Sequence, residues 1–449
     1  MAAAILCAVP AHAGPAARSA ALSPTSSSTQ SSLQAALLRP ENAELRQFYY
    51  YRANRPLWIA DGRISQAGIE AMRLIDSAAL DGISPDAILA GPLDDAVRAV
   101  QTQATPAALD RAELALSRSF AAYVRLTRQT PEGAMLYEHV SLEPQVPGTA
   151  LALQEAAKAA SLDEYIGKMA WLHPLYAPMR QAFAAAGGLD SPLRRQFLAN
   201  LGRVRALPAV PPGGRYVLVN AAAAKLWMYE GDRPVGSMNV VVGKVDHQTP
   251  MISGYIRYAI LNPYWNVPAD FTRDKIAARV MKGGAAYLQR GGYQVMSDWT
   301  SEATVIDPRT VGWKAVAAGA IDLRVRQSPG AANSMGKVKF EFPNQLGIYL
   351  HDTPEQELMA RETRLYSSGC VRLQDAQRLG RWLFQSAMPA ANEAEQRFDL
   401  PRLVPVYVTY LTMQPQDDGQ VVMLGDPYGR DEAGMPAFAV QNGGIKASR

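Results

Sequence analysis

Cys370 stands in the run Ser367, Ser368, Gly369, Cys370, Val371, Arg372, a short polar turn that opens into an apolar segment. A thiol attacks as its thiolate, and an unperturbed cysteine is only a few per cent ionised near neutral pH, so it needs a base or a cation beside it. His351 is the best-placed partner. It ends the run Gly347–His351, in which Tyr349 and His351 fall on one face of an extended chain and Ile348 and Leu350 on the other. With the apolar face on a core, His351 looks into a cleft, and an imidazolium there would depress the thiol. Gly369 lets the backbone approach a substrate and turns its own N–H and that of Cys370 toward a developing oxyanion. Asp352 either orients the imidazole, through its side chain or its carbonyl, or only begins the turn at Thr353 and Pro354. The chemistry these residue types allow is acyl transfer through a cysteine thioester.

Cys7 is the other cysteine of the two in the chain, and it lies in the apolar stretch Met1–Ala13, which closes on Ala11, His12, Ala13. That ending reads as a signal-peptidase site, although only Met1 precedes the apolar run where a basic start is usual. About 20 apolar residues are needed to span a bilayer, and neither this stretch nor any later one is long enough. Residues 1–13 are expected to be a signal peptide, the mature protein to be exported and free of membrane spans, and Cys370 to be left with no disulfide partner. At 449 residues, with 48% hydrophobic and 19% charged, the chain has the composition of a globular protein of two domains. A net charge of +4 with scattered Lys and Arg does not indicate nucleic-acid binding. His247 sits in a polar loop and reads as exposed, while His139 and His173 lie in the helical half without partners. No metal site and no cofactor are expected.

The elements that must position Cys370 and His351 come in two halves. Residues 14–34 are rich in Ala, Ser, Thr and Pro and read as a flexible leader, and residues 35–207 as a helical scaffold domain. Leu109, Ala112, Leu116, Phe120 and Tyr123 recur on one helix face. An earlier helix opens at Ser65, buries Ile69, Met72 and Ile75 and stops at Asp81 and Gly82, after which Ser84, Pro85 and Asp86 restart the chain. Pro208 to Gly214 form a break, and the period then changes to two. Tyr216–Asn220, Lys225–Tyr229, Met238–Val242, Tyr255–Leu261, Gly347–His351 and Val404–Thr409 read as strands of a mostly β domain over 215–412. The mixed stretch 271–320 reads as a lid-like insertion, and 413–449 as a C-terminal extension, loose after about Gly434. The fold class is α+β.

The run from His351 to Arg372 resembles the signature of the L,D-transpeptidases with a YkuD-type catalytic domain. Asn262 to Pro268, Ile348 to Thr353 and Phe48 to Trp58 are similar to the large scaffold-bearing branch of Gram-negative envelopes. The resemblance implies a donor tetrapeptide stem of peptidoglycan, cleaved between diaminopimelate and D-Ala. Cys370 would be the nucleophile, His351 would manage protons, and a second stem would be the acceptor, giving a 3-3 crosslink and a target for carbapenems. Where most members carry His before Gly-Cys, this chain has Ser368, and where many carry Asn after the cysteine it has Arg372. Arg372 either meets the substrate carboxylate that the resemblance implies or is a surface or structural Arg; Tyr349 shares the face of His351 and lines the cleft with Ser368, while Trp265 and Tyr264 line the groove or, as is more usual for aromatics in β domains, belong to the core. Gly187 and Gly188 pass almost directly into Leu193–Arg205, leaving no room for a small wall-binding module. The same site with water as acceptor would be a carboxypeptidase, or an amidase on wall-linked stems. A catalytically silent wall-binding scaffold is the alternative from another class.

Overall fold

The computed structural model describes residues 32–209, 214–415 and 421–431. The expected signal peptide, most of the leader, the middle of the Pro/Gly break and the expected tail lie outside the described residues. The leader was expected to run to residue 34, yet Leu33 is fully buried in the helical core and the Ser32 hydroxyl meets the Asp110 carboxylate, so the packed region includes residue 32.

In the helical half, α1 (Gln66–Asp76) begins where the Ser65 hydroxyl accepts the Gly68 amide at 3.2 Å. Its buried face is Ala67, Gly68, Ala71 and Ile75, whereas Ile69 and Met72 are only half-buried. The expected stripe is rotated because small residues bring the helix close to α2 (Pro106–Thr127). α2 buries Leu109, Ala112, Leu116, Phe120 and Tyr123, as their spacing requires, with the Phe120 ring edge-on to Trp58 and Trp171 at 5.1 and 5.4 Å. Two buried carboxylates organise this core. Glu113 accepts the Tyr49 hydroxyl (2.5 Å) and the amides of Leu57, Trp58 and Ile59 (2.6, 2.9 and 3.0 Å). Asp81 accepts the hydroxyls of Tyr123 (2.7 Å) and Tyr176 (2.9 Å) and the Arg180 guanidinium (2.9 Å).

Beyond the break the chain is β-rich. β1 (Arg215–Asn220), β2 (Lys225–Glu230) and β3 (Arg233–Gly243) form an antiparallel meander. β4 (Ile252–Leu261) pairs with β5 (Val338–Glu341), β5 with β6 (Leu350–His351), β6 in parallel with β7 (Val371–Leu373), and β7 with β3. β8 (Gln396–Thr409) lies between β1 and β4 and closes the ring. Val217, Val219, Val240, Val242, Ile252, Phe340, Leu350, Val371 and Val406 fill its interior. Between β4 and β5 the insertion has its own core of Ile276, Leu288, Val295, Val316 and Val325. Its sheet runs Val305–Ile306, Tyr293–Met296, Val325–Gln327, Trp265–Val267, so it extends past both ends of the expected 271–320.

The halves are fused. Leu136–Tyr137, from the helical half, adds to β4 in parallel. Asn200 on α3 (Arg194–Arg205) donates to the Thr412 hydroxyl at 2.8 Å, and Leu411 and Met413 lie in the helical core. His173, expected to have no partner, is buried in this junction. Its Nδ1 accepts the Leu175 amide (3.3 Å), so Nε2 carries the proton and donates to the Tyr216 hydroxyl on β1 (3.0 Å). His139 likewise has partners, Ser141 at 2.7 Å and the Tyr255 ring at 5.6 Å. No helix among the described residues is long and apolar enough to cross a membrane.

Candidate active site

The register of the ring assembles the site. Leu350 points inward between its strand partners Phe340 and Val371, all three fully buried. Alternation then sends His351 outward beside its own partners, Lys339 on β5 and Arg372 on β7. Tyr349 and Glu341, each two residues away along a strand, share that outer face. The Tyr349 and His351 rings meet edge-on at 5.7 Å, and the Lys339 ammonium lies 4.5 Å from the Tyr349 ring centre while pairing with Glu341. Sequence reading singled out neither Lys339 nor Glu341. The available signal was their two-residue spacing with Val338 and Phe340, which marks a strand with one charged face.

Cys370 is half-buried at the end of a turn held by its own side chains. The Ser367 hydroxyl donates to the Cys370 carbonyl (2.6 Å) and accepts the Gly369 amide (3.1 Å). Gly369 has φ +117, in the region where a side chain is strained, and an added Cβ would lie 3.3 Å from Ile348. Because the Gly369 N–H is already engaged, the Cys370 N–H is the amide of this turn left to face a substrate. The thiol lies 3.6 Å from the Gly347 carbonyl, with the Tyr349 amide and hydroxyl against the sulfur. Ser368 is exposed.

Burial dominates the electrostatics. It pushes the Cys370 thiol up to about 11, against the opposing pull of the Tyr349 amide and hydroxyl and of Lys339. It pushes His351 down to about 3, assisted by the charges of Arg372 and Lys339, while the carbonyls of Asp352 and Met335 act the other way. Burial thus favours the uncharged form of both groups, the thiol at Cys370 and the imidazole at His351, over the imidazolium expected to depress the thiol. His351 Nδ1 is 2.6 Å from the Asp352 carbonyl, which can only accept, so Nδ1 carries the proton and Nε2 keeps its lone pair. Asp352 thus touches the imidazole through its backbone, and its carboxylate accepts the Lys337 amide at 2.8 Å. A buried neutral imidazole with a fixed tautomer has the protonation state of a general base.

Of the remaining expected residues, Arg372 is on the site face, paired with Glu355 in the loop after β6. Trp265 belongs to the insertion, packed against Phe271 and Tyr293 at 5.4 and 6.4 Å. His247, read as exposed, is half-buried beside Asp246 (3.3 Å) and Asp270 (3.7 Å). A cavity of about 560 Å³ lined by Arg215, Glu230, Arg381, Trp382 and Gln385 contains none of these residues.

A β-ring catalytic unit with a Gly-Cys turn and a neighbouring histidine, carried on a helical core, defines the class. Residues 214–389 match the L,D-transpeptidase catalytic domain (YkuD), and residues 43–183 match the scaffold domain. The chain belongs to the proteins that join a YkuD-type L,D-transpeptidase catalytic domain to an N-terminal scaffold domain. A Haemophilus influenzae protein named "Putative L,D-transpeptidase" is 28% identical over 250 residues, 54% of this chain and 49% of that protein, so the match spans about half of the relative's length. Among solved structures, an L,D-transpeptidase from Mycobacterium smegmatis is 11% identical over 43% of this chain and 58% of its own, with a TM-score of 0.21. The Bdellovibrio bacteriovorus protein Bd1075 is 13% identical over 50% of this chain and 55% of its own, with a TM-score of 0.19.

Proposed function

We propose that this protein is a peptidoglycan L,D-transpeptidase that forms 3-3 crosslinks through an acyl-enzyme on Cys370. The Cys370 sulfur attacks the carbonyl joining the L-centre of diaminopimelate to D-Ala in a tetrapeptide stem, and its proton passes to His351 Nε2. The oxyanion rests on the Cys370 N–H, one such donor being worth about 3 kcal/mol in the transition state. Collapse breaks the C–N bond, the imidazolium protonates the leaving amine, and D-Ala departs, leaving a thioester. The side-chain amine of a second stem's diaminopimelate attacks that thioester, gives up a proton to His351 and restores the thiol. Arg372 meets a stem carboxylate, Tyr349 and Ser368 border the donor, and the insertion, Trp265 included, keeps water from the thioester. The protein works in the periplasm.

The observation that supports this reading most is that the Gly369–Cys370 turn leads into the strand paired with that of His351, which faces outward, in a YkuD-type domain. Incubating the purified protein with disaccharide-tetrapeptide and reading the products by mass spectrometry tests it. Dimers lacking one D-Ala are expected. Tripeptide alone would mean that water is the acceptor, and unchanged substrate would sink both enzymatic readings. A carbapenem adduct seen by intact mass in the wild type should vanish in Cys370→Ala; an adduct persisting there would show that another residue is acylated.

A further inference from the structure

Thr249 lies directly beneath the nucleophile turn. Its fully buried hydroxyl donates to the Gly369 carbonyl at 2.8 Å and accepts the Gly243 amide at 2.8 Å, so one side chain ties the end of β3 to the residue before Cys370. The loop that brings it there folds tightly onto the strand. A Cβ on Gly243 would fall 2.0 Å from the His247 carbonyl and 2.7 Å from the Thr249 amide, and only glycine fits.

Thr249 is held in turn by the chain's C-terminal segment. Its amide donates to the Tyr428 hydroxyl (3.4 Å), which itself donates to the Gly243 carbonyl (2.6 Å). The Thr249 carbonyl accepts the Arg430 guanidinium (3.0 Å), which also grips the Gln248 side chain (2.8 Å). The segment is anchored at its far end. The Tyr428 ring stacks on Tyr410 at 5.2 Å, and buried Asp431 meets Arg203 of α3 at 2.5 Å and the Thr412 hydroxyl at 2.7 Å. Tyr428, Arg430 and Asp431 all lie outside the 214–389 match to the catalytic domain.

The Gly369 carbonyl and the Cys370 N–H belong to one peptide plane and point in opposite directions across a trans bond. Fixing the carbonyl inward therefore fixes the N–H outward. We infer that Thr249 is a positioning residue that aims the Cys370 N–H at the developing oxyanion, and that the segment 421–431 is the strap that holds Thr249 in place. The inference rests on the assignment of Cys370 as nucleophile made above.

The test compares the full chain with Thr249→Val, Thr249→Ser and Tyr428→Phe by three readouts: acyl transfer from disaccharide-tetrapeptide, iodoacetamide labelling of Cys370, and amide exchange across 367–371. Loss of one oxyanion donor costs about a hundredfold or more, so mis-aiming it in Thr249→Val should lower kcat by about ten- to a hundredfold, with KM and labelling within about twofold. Thr249→Ser should restore most of kcat. Tyr428→Phe, which removes a single oxygen and keeps the ring stack, should lower kcat by about three- to tenfold and speed exchange at 369–371. The inference is overturned if Thr249→Val keeps its kcat, if kcat and labelling fall together, or if serine fails to rescue. Should Thr249→Val not fold, unchanged kcat and exchange in Tyr428→Phe overturn it equally. A wild-type protein inert toward the stem would sink the proposed function instead, and the exchange arm would still decide the strap.

Discussion

On the mechanism proposed above, Cys370 keeps its proton at neutral pH and His351 lacks one, so the thiolate forms only as the substrate is attacked and the imidazole is the proton's first destination. This differs from a preformed thiolate–imidazolium pair, and the difference is measurable. With the thiol raised to about 11 by burial, Cys370 in the free protein should label with iodoacetamide at a rate that climbs through pH 8.5 and is still climbing near pH 10. A plateau reached below pH 8 would show that the resting pair is ionic. Residue type, the glycine before the cysteine and strand alternation made Cys370 and His351 candidates, and the resemblance of the whole run from His351 to Arg372 gave that reading its force. The protonation states were not legible, because they depend on Lys339 and Arg372, brought beside His351 by strand register, and on depth of burial.

Among the elements, α2 has the most concentrated role. Glu113 sits inside an otherwise apolar stripe and caps the amides of Leu57, Trp58 and Ile59, so the segment ending in Trp58 is held by a carboxylate from a helix far along the chain. Glu113→Ala leaves those amides without their acceptor and the Tyr49 hydroxyl with Ser117 alone, a loss of about 3–5 kcal/mol that urea unfolding would measure. A cost below about 1 kcal/mol would mean that water takes over the site. The helix face bearing Leu116, Phe120 and Tyr123 was readable from spacing alone, whereas Glu113 on the same helix carried no local sign of its role. The same physics explains the rotated face of α1: periodicity finds an apolar stripe, but close approach of small residues chooses which edge is buried. Most strands of the ring were legible by their period of two, but the short β5 and β7 were not read as strands, and the joining of β4, β5 and β8 was not legible, since pairing partners are set by topology rather than by local sequence.

For the molecule as a whole, two buried histidines set the response to acid. His173 at the junction and His351 at the site are both lowered by burial to about 3, below the value of about 6.5 for an unfolded histidine. Between these values the unfolded chain binds more protons than the folded one, so stability present above about pH 6.5 is lost as the pH falls toward 3. Each histidine contributes at most about 1.4 kcal/mol per pH unit within that window. The melting temperature should fall steadily from pH 7 to pH 4, and His173→Gln, which retains an amide donor for Tyr216, should flatten the slope. An unchanged slope in that variant would assign the acid sensitivity to other groups. Because His173 joins α-helical and β-rich cores, both halves should melt in one calorimetric transition.

β8 pairs with β1 along one edge, through Thr409 and Asn220 among others, and with β4 along the other. The ring therefore cannot close until nearly all of the chain has been made and delivered. Until then β1 and β4 each present a bare strand edge, and such edges recruit other chains. A polypeptide halted between β7 and residue 396 would hold the Gly369–Cys370 turn, His351 and the scaffold, yet would be prone to aggregate. The order of strands thus acts as a completeness check in biosynthesis: only a chain finished to the last strand of the ring has a closed barrel beneath its cysteine.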